Sequence, residues 1–289
     1  MAQLVKPVYA SVLERIFTAL RRSPLNRLRV ITRFYRELII RFHGTNQIQV
    51  GEFAMTVDPR DRFIAPKLIM DGGFEQREIE VLCSFINPGD VVFDVGANIG
   101  LYTLPMSRAV GANGTVVSFE PDPDNLRILK HNIAANNCNN VLVMPFALGT
   151  EDGEMDLYQV DSNRGYLSFA DLSGTGRSVK VRVRRGDNVL REQGIDKPSI
   201  VKIDVEGAEP LVISGLGCHP KYIQFEFVPV QLRALKLDPI KFLQQIVSEG
   251  YKLFIIDRDT GELHPTLPAD LLNIAEASGQ DYNAMAIFE

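Results

Sequence analysis

The sequence predicts an α/β fold, a mostly parallel sheet with helices on both faces. Three observations lead there. From residue 91 onward, short apolar runs of strand length alternate with segments of helical period, the pattern of right-handed strand–helix–strand crossovers. The run VVFDVGANIGLYT, residues 91–103, reads as a buried strand, an acidic tip, a glycine turn and a helix. A second buried strand, residues 115–119, ends in Glu120-Pro121-Asp122-Pro123.

Taken in order, Val8, Val12, Leu13, Ile16, Phe17 and Leu20 share one helical face. Ser23-Pro24 then has the form of a helix N-cap followed by proline in the first turn. The helix it opens aligns Leu25, Leu28, Ile31, Phe34, Tyr35, Leu38, Ile39 and Phe42, with arginines on its other side. Residues 1–45 are thus read as a basic helical extension and 46–289 as the main domain. The extension has two readings: a helix lying on an anionic membrane surface, or a cap packed on the main domain or on a second subunit. A short hairpin over 47–58 and a helix over 77–85 follow. Pro88-Gly89-Asp90 turns the chain into strand 91–95, then come helix 99–109, strand 115–119, helix 123–136 and strand 141–145. Between 151 and 187 glycines punctuate alternating runs such as MDLYQV and VKVRVR, a β-hairpin insertion. Strand 199–204, helix 209–216, strand 222–227 and helix 238–249 resume the alternation, and YKLFIID and AMAIFE form a closing strand pair.

At 289 residues with 45% apolar content, the chain has the material for one large domain with an appendage, or for two small ones. A net charge of −5 gives no global basic field for nucleic acid. The charge is split: residues up to His43 carry +7, which leaves −12 for the remainder. Cys83, Cys138 and Cys218 have neither metal-ligand spacing nor an even count. With no apolar run of membrane-spanning length and no secretory leader pattern, a cytoplasmic protein is expected, with peripheral membrane contact left open by the N-terminal helices.

Glycine in the turn after strand 91–95 lets the backbone approach a ligand, and the helix beyond offers free amides to an anionic group. Glu120, at the second strand's end, is placed to accept hydrogen bonds from ribose hydroxyls. The turn reads GANIG and lacks the GxGxxG spacing of pyrophosphate binders. It therefore suits an adenosine-bearing cofactor without a diphosphate, such as S-adenosyl-L-methionine (SAM). A glycine turn serving only helix packing is the plain alternative.

VKIDVEGAE, residues 201–209, together with FDVGANIGLYT, SFEPDP and PFALGTEDG, resembles the FkbM family of SAM-dependent methyltransferases, from about Gly72 to the C-terminus. The resemblance implies a class I methyltransferase-like, Rossmann-like sheet of seven strands whose last strand is antiparallel. It implies O-methylation of a hydroxyl on a sugar, glycosylated or polyketide-type metabolite. Carried over by position, Asp94, Gly96, Asn98 and Gly100 surround the amino-acid moiety of SAM and Glu120 takes the ribose. Phe146 and Ala147 lie by the adenine. Asp94 as a helix cap and Phe146 as ordinary core are the structural alternatives.

An alcohol is a poor nucleophile at neutral pH, so a base or a metal must weaken its O–H bond. That group belongs at the carboxyl edge of the sheet, where Asp204, Glu206 and Glu226 end or follow strands. They are candidates for base, acceptor positioning or, for Asp204 and Glu226, ligation of a hard cation such as Mg²⁺. Glu206 and Glu209 have a second reading, as caps of the helix near Pro210. His131 and His219 are read as structural or solvated. The insertion 151–187, with Tyr158, Asn163, Arg164, Tyr166 and Ser168, is the candidate lid over the acceptor. A nucleotide-dependent oxidoreductase and a non-catalytic scaffold recruited by its N-terminal helices are the rival functions. Replacing Glu120 by alanine is expected to weaken SAM binding and leave folding intact.

Overall fold

The computed structural model describes residues 46–58, 60–61, 64–71, 73–160, 163–169 and 178–289. The two basic helices expected within 1–45 lie outside the described residues, as do the side chains of Asn163, Arg164 and Tyr166. Two compact units emerge, one reaching Phe74 and including 163–165, the other running from Glu75 to the C-terminus apart from that excursion.

In the first unit, β1 (Gln47–Val50) and β2 (Phe53–Thr56) form the expected antiparallel hairpin. Helix α1 (Ile64–Asp71) starts where the Asp61 carboxylate accepts from the amides of Ile64 and Ala65, at 3.1 and 2.9 Å.

The second unit is built on the alternation read from the sequence. In chain order it contains α2 (Gln76–Ser84), β3 (Val91–Val95), α3 (Thr103–Val110), β4 (Thr115–Phe119), α4 (Pro123–Ala135) and β5 (Val141–Met144). Then come β6 (Ala147–Gly149), β7 (Gly153–Val160), β8 (Asn163–Ser168), β9 (Ser178–Arg185) and α5 (Gly186–Gln193). The chain continues through β10 (Ile200–Ile203), α6 (Glu209–Leu216), β11 (Tyr222–Phe227), α7 (Pro229–Ala234) and α8 (Pro239–Ser248). It closes with β12 (Tyr251–Ile256), β13 (Leu263–Thr266), α9 (Pro268–Ser278) and β14 (Tyr282–Phe288).

The central sheet runs β13-β12-β14-β11-β10-β3-β4-β5. Strands β5, β4, β3, β10 and β11 are parallel, and β14 enters antiparallel between β11 and β12. The sheet has eight strands, not the seven implied by the resemblance, because β13 extends the edge by pairing antiparallel with β12. Alternate residues of each strand face opposite helix layers. Phe93, Val201 and Phe225 pack with residues of α5 through α9, whereas Val92, Val116 and Ile200 pack with α2 and α3. Among the described residues no helix is long and apolar enough to cross a membrane.

Two differences from the sequence reading have local causes. The helix after the glycine turn begins at Thr103, not at 99, because Asn98 and Gly100 hold φ at 49° and 98°. The insertion is more than a hairpin: β6, β9, β7 and β8 form a four-stranded sheet, and α5 follows it. Gly186 is the first residue of α5. A Cβ there would lie 2.9 Å from the Leu216 Cα, so this glycine lets α5 pack closely on α6.

Candidate active site

The carboxyl ends of β3, β4 and β10 are tied together by the turn that leaves β3. The amides of Gly96 and Ala97 both donate to the Phe119 carbonyl at 3.0 Å. The Asp204 amide donates to the Val95 carbonyl, also at 3.0 Å. Gly96 has φ 78°, and a Cβ on it would stand 1.9 Å from the Asp204 carbonyl oxygen, so no other residue fits without moving the end of β10. Glu120 closes the turn from the far side. Its carboxyl accepts from the Asn98 amide at 2.7 Å and the Asp122 amide at 2.8 Å. Gly96, Asn98, Glu120 and Asp204 are thus assembled around one turn. Burial pushes the Glu120 carboxyl up to about 8, against which its two amide partners act.

A row of polar side chains crosses the sheet just below these tips. Ser118, Asp94, Lys202 and Gln224 are register neighbours on β4, β3, β10 and β11, on the face that α2 and α3 cover. Asp94 does not cap the turn at Asn98. Its Oδ2 accepts from the Thr103 hydroxyl at 2.5 Å, and its Oδ1 lies 3.6 Å from Lys202 Nζ. That Nζ donates to the Gly96 carbonyl at 3.1 Å, approaches Asp204 Oδ2 to 3.4 Å and sits 4.8 Å from the Tyr102 ring centroid. Gln224 Nε2 donates to the Tyr102 hydroxyl at 3.1 Å. Burial acts to lower the Lys202 pKa, but the carboxylates of Asp204, Asp94 and Glu75 prevail and raise it. Burial raises Asp94, with Lys202 and Thr103 acting against it.

Beyond the tips lies a rim of carboxyls. Burial, then the charges of Asp204, Glu206 and Glu75, raises Glu226 well above the usual range. Glu206 has φ 55° and accepts from Gln231 Nε2 at 2.5 Å. Glu209 faces back into the loop before α6, accepting from the amides of Val205 and Gly207 at 3.1 and 3.2 Å. Burial pushes it up to about 7. Among the described residues no group of three or more His, Cys, Asp or Glu side chains is arranged to hold a metal ion. The Mg²⁺ expectation for Asp204 and Glu226 therefore finds no ligand set.

Phe146 is buried in the main core, its ring 5.9 Å from that of Phe119, and Ala147 pairs with Val183 as the first residue of β6. His219 stacks on Phe288 at 5.6 Å, and His131 is exposed on α4. Sequence reasoning overlooked Lys202, Tyr102, Thr103, Gln224 and Glu75. For Lys202 a signal existed: a lysine inside the apolar strand IVKI must be buried, and a buried ammonium needs carboxylate partners.

With this geometry in place, the chain can be set beside known proteins. A family model described as "Methyltransferase FkbM domain" matches residues 94–253. The hexuronic acid methyltransferase AglP of Haloferax volcanii is 26% identical over 171 residues, 59% of this chain and 68% of that protein. The 31-O-demethyl-FK506 methyltransferase FkbM of Streptomyces tacrolimicus is 31% identical over 160 residues, covering 45% of this chain and 61% of that one. This chain thus spans less than two thirds of the latter's length. Among solved structures, precorrin-6y C5,15-methyltransferase from Geobacter metallireducens superposes with a TM-score of 0.41 at 15% identity, covering 74% of this chain and 88% of that one.

Proposed function

We propose, from the premise that this chain belongs to the FkbM methyltransferase family, that it is a SAM-dependent O-methyltransferase acting on a hydroxyl of a sugar, glycosylated or polyketide-type metabolite. The observation that carries this reading is the turn in which Gly96 touches Asp204 while Glu120 holds Asn98. It is a cradle at the tips of three parallel strands, where open α/β sheets bind ligands.

The residues present fit the cofactor. Asp94 Oδ1 is fully buried and faces the Lys202 ammonium at 3.6 Å without a hydrogen bond to it, which leaves it able to accept from a second ammonium such as that of the methionine moiety. Each oxygen of the Glu120 carboxylate can accept more than its one amide, which leaves capacity for ribose hydroxyls. Gly96, Asn98 and Gly100 line the methionine end, and Phe146 and Ala147 serve the adenine. When bound, SAM supplies an electrophilic methyl group on a sulfonium. The protein's part is to orient the acceptor oxygen, exclude water and accept a proton. Asp204, Glu206 and Glu226 stand on the rim where the acceptor must lie, and the insertion carrying Tyr158 and Ser168 covers it. The partner is a small-molecule or carbohydrate acceptor and not nucleic acid. The three cysteines are free, in keeping with the cytoplasm, and residues 1–45 serve as a contact to a membrane surface or a second subunit.

Calorimetric titration with SAM, S-adenosylhomocysteine and NAD tests the cofactor. Methyl transfer from labelled SAM to methyl glycosides of glucose, galactose and rhamnose tests the acceptor class. Binding of NAD without SAM would overturn the reading. Asp204→Asn should lower turnover more than SAM affinity, and full retained activity removes Asp204 from the mechanism.

A further inference from the structure

The Lys202 ammonium touches both halves of the site. It donates to the carbonyl of Gly96, in the turn after β3, at 3.1 Å, and stands 3.4 Å from Oδ2 of Asp204 at the tip of β10. Behind it lie Asp94 Oδ1 at 3.6 Å and the Tyr102 ring, whose centroid is 4.8 Å away. The lysine side chain is 6% exposed, so these neighbours fix the ammonium in one place. Neutralising Asp94 alone would not require an ammonium that reaches past it to the strand tip.

The Asp204 carboxylate, by contrast, is tethered on one side only. Its side chain is 35% exposed, and Lys202 is its one ion-pair partner among the described residues. Its Oδ1 accepts no hydrogen bond among them. The main chain of Asp204 is pressed against the cofactor turn: its amide donates to the Val95 carbonyl at 3.0 Å, and a Cβ on Gly96 would stand 1.9 Å from its carbonyl oxygen. A carboxylate with one oxygen held and the other open, in contact with that turn, is placed to receive a donor group of a ligand.

We propose that Lys202 is a positioning residue for the acceptor: it holds Asp204 Oδ2 so that Oδ1 takes the hydrogen bond of the acceptor hydroxyl beside the transferred methyl group. This rests on the methyltransferase reading above. The hydroxyl hydrogen then points to Asp204, and an oxygen lone pair is left facing the methyl carbon. Because the same ammonium holds the Gly96 carbonyl, methyl donor and acceptor oxygen are aligned from one atom. A misplacement of about 1 Å between reacting groups can cost about 10²-fold in rate.

Sinefungin, which carries a C–NH₃⁺ group where SAM carries its sulfonium methyl, reads this placement without an acceptor. Calorimetry of the full chain at neutral pH compares it with S-adenosylhomocysteine, which has no group at that position. The wild type should bind sinefungin about tenfold or more tightly, the worth of one charged hydrogen bond. Asp204→Asn should bring that ratio to within about threefold of unity, and so should Lys202→Met, in which the carboxylate is untethered. A purely structural lysine would weaken both ligands together and leave the ratio unchanged. A lysine that only screened Asp204 would, once removed, raise the ratio, because the bare carboxylate attracts the amine more strongly. If circular dichroism shows Lys202→Met unfolded, Lys202→Gln takes its place with the same expected fall, since its shorter side chain stops short of Asp204. No preference in the wild type, or a ratio that is kept or rises in Asp204→Asn or in the folded Lys202 variant, overturns the proposal. Absence of binding by SAM and both analogues would instead overturn the methyltransferase reading. On any glycoside the wild type methylates, Lys202→Met should lower kcat about 10²-fold with a smaller change in KM for SAM; a full kcat overturns the proposal.

Discussion

Replacing Glu120 with alanine removes the acceptor for two backbone amides, those of Asn98 at 2.7 Å and Asp122 at 2.8 Å. Glu120 is 3% exposed, so water cannot readily substitute. Each buried donor left unpaired costs about 1–3 kcal/mol, which puts the loss at roughly 2–6 kcal/mol in the protein without cofactor. The loss depends on pH. Burial raises the folded pKa from 4.5 to about 8, so this group's stabilising contribution is complete below 4.5 and disappears as pH rises through 8. At 1.36 kcal/mol per unit, that window spans about 5 kcal/mol. Glu120→Ala should therefore be clearly less stable than the wild type at pH 5.5, with the gap closing by pH 9. Urea unfolding followed by circular dichroism at several pH values, with no ligand, reads both effects. Equal stability at pH 5.5, or a gap independent of pH, would refute the reasoning. The sequence alone led to the expectation that folding survives this change; the two amides that the carboxyl holds lead to the opposite expectation.

Gly96→Ala places a methyl group 1.9 Å from the Asp204 carbonyl oxygen, so SAM affinity should fall more than about tenfold, a loss above 1.4 kcal/mol, and the melting temperature should drop; unchanged calorimetry sinks this. Lys202→Met strands the Asp94 carboxylate in the sheet and should cost about 3–5 kcal/mol. Because Asp94 already has a raised pKa, the deficit should shrink as pH falls and the carboxyl takes up a proton; a deficit that grows towards acid pH contradicts it. Asp122→Ala removes the acceptor for the amides of Asp124 and Asn125 at the start of α4, at about 1 kcal/mol; a melting curve that overlays the wild type would argue against that cap.

How much was legible in the sequence depended on whether the signal was local. The strands Thr115–Phe119 and Tyr222–Phe227 and the helix Glu209–Leu216 have the expected limits, because apolar runs bounded by turn residues leave little choice. Helix 123–136 was read from its period, and the structure adds the Asp122 cap and first-turn Pro123 that open it. Pro229 and Pro268 stand in the first turns of α7 and α9 without a capping side chain before them, the N-cap residues being Val228 and Leu267, and these two helices were not read from the sequence. Gly96, Glu120 and Asp204 were legible as strand-end residues. Tyr102 was not: it acquires its place from Lys202 beneath its ring and from Gln224, 122 positions away, at its hydroxyl, and no periodicity encodes such a meeting.

The polar row explains why the strand tips meet as they do. Apolar residues at Ser118, Asp94, Lys202 and Gln224 would fill the space under α2 and α3 without a buried charge to desolvate. They would also accept any register that keeps the apolar face inward. The Lys202 ammonium is matched only when β10 stands beside β3 with Asp94 level and the Gly96 carbonyl just beyond. A slip by one residue would turn Lys202 to the opposite face, among Phe93, Val201 and Phe225. The same pairing brings the Gly96 backbone against the Asp204 carbonyl. The charged row therefore acts as a register key for the cradle above it. That gives a physical reason for a lysine in the middle of a buried strand whether or not its ammonium ever touches a ligand.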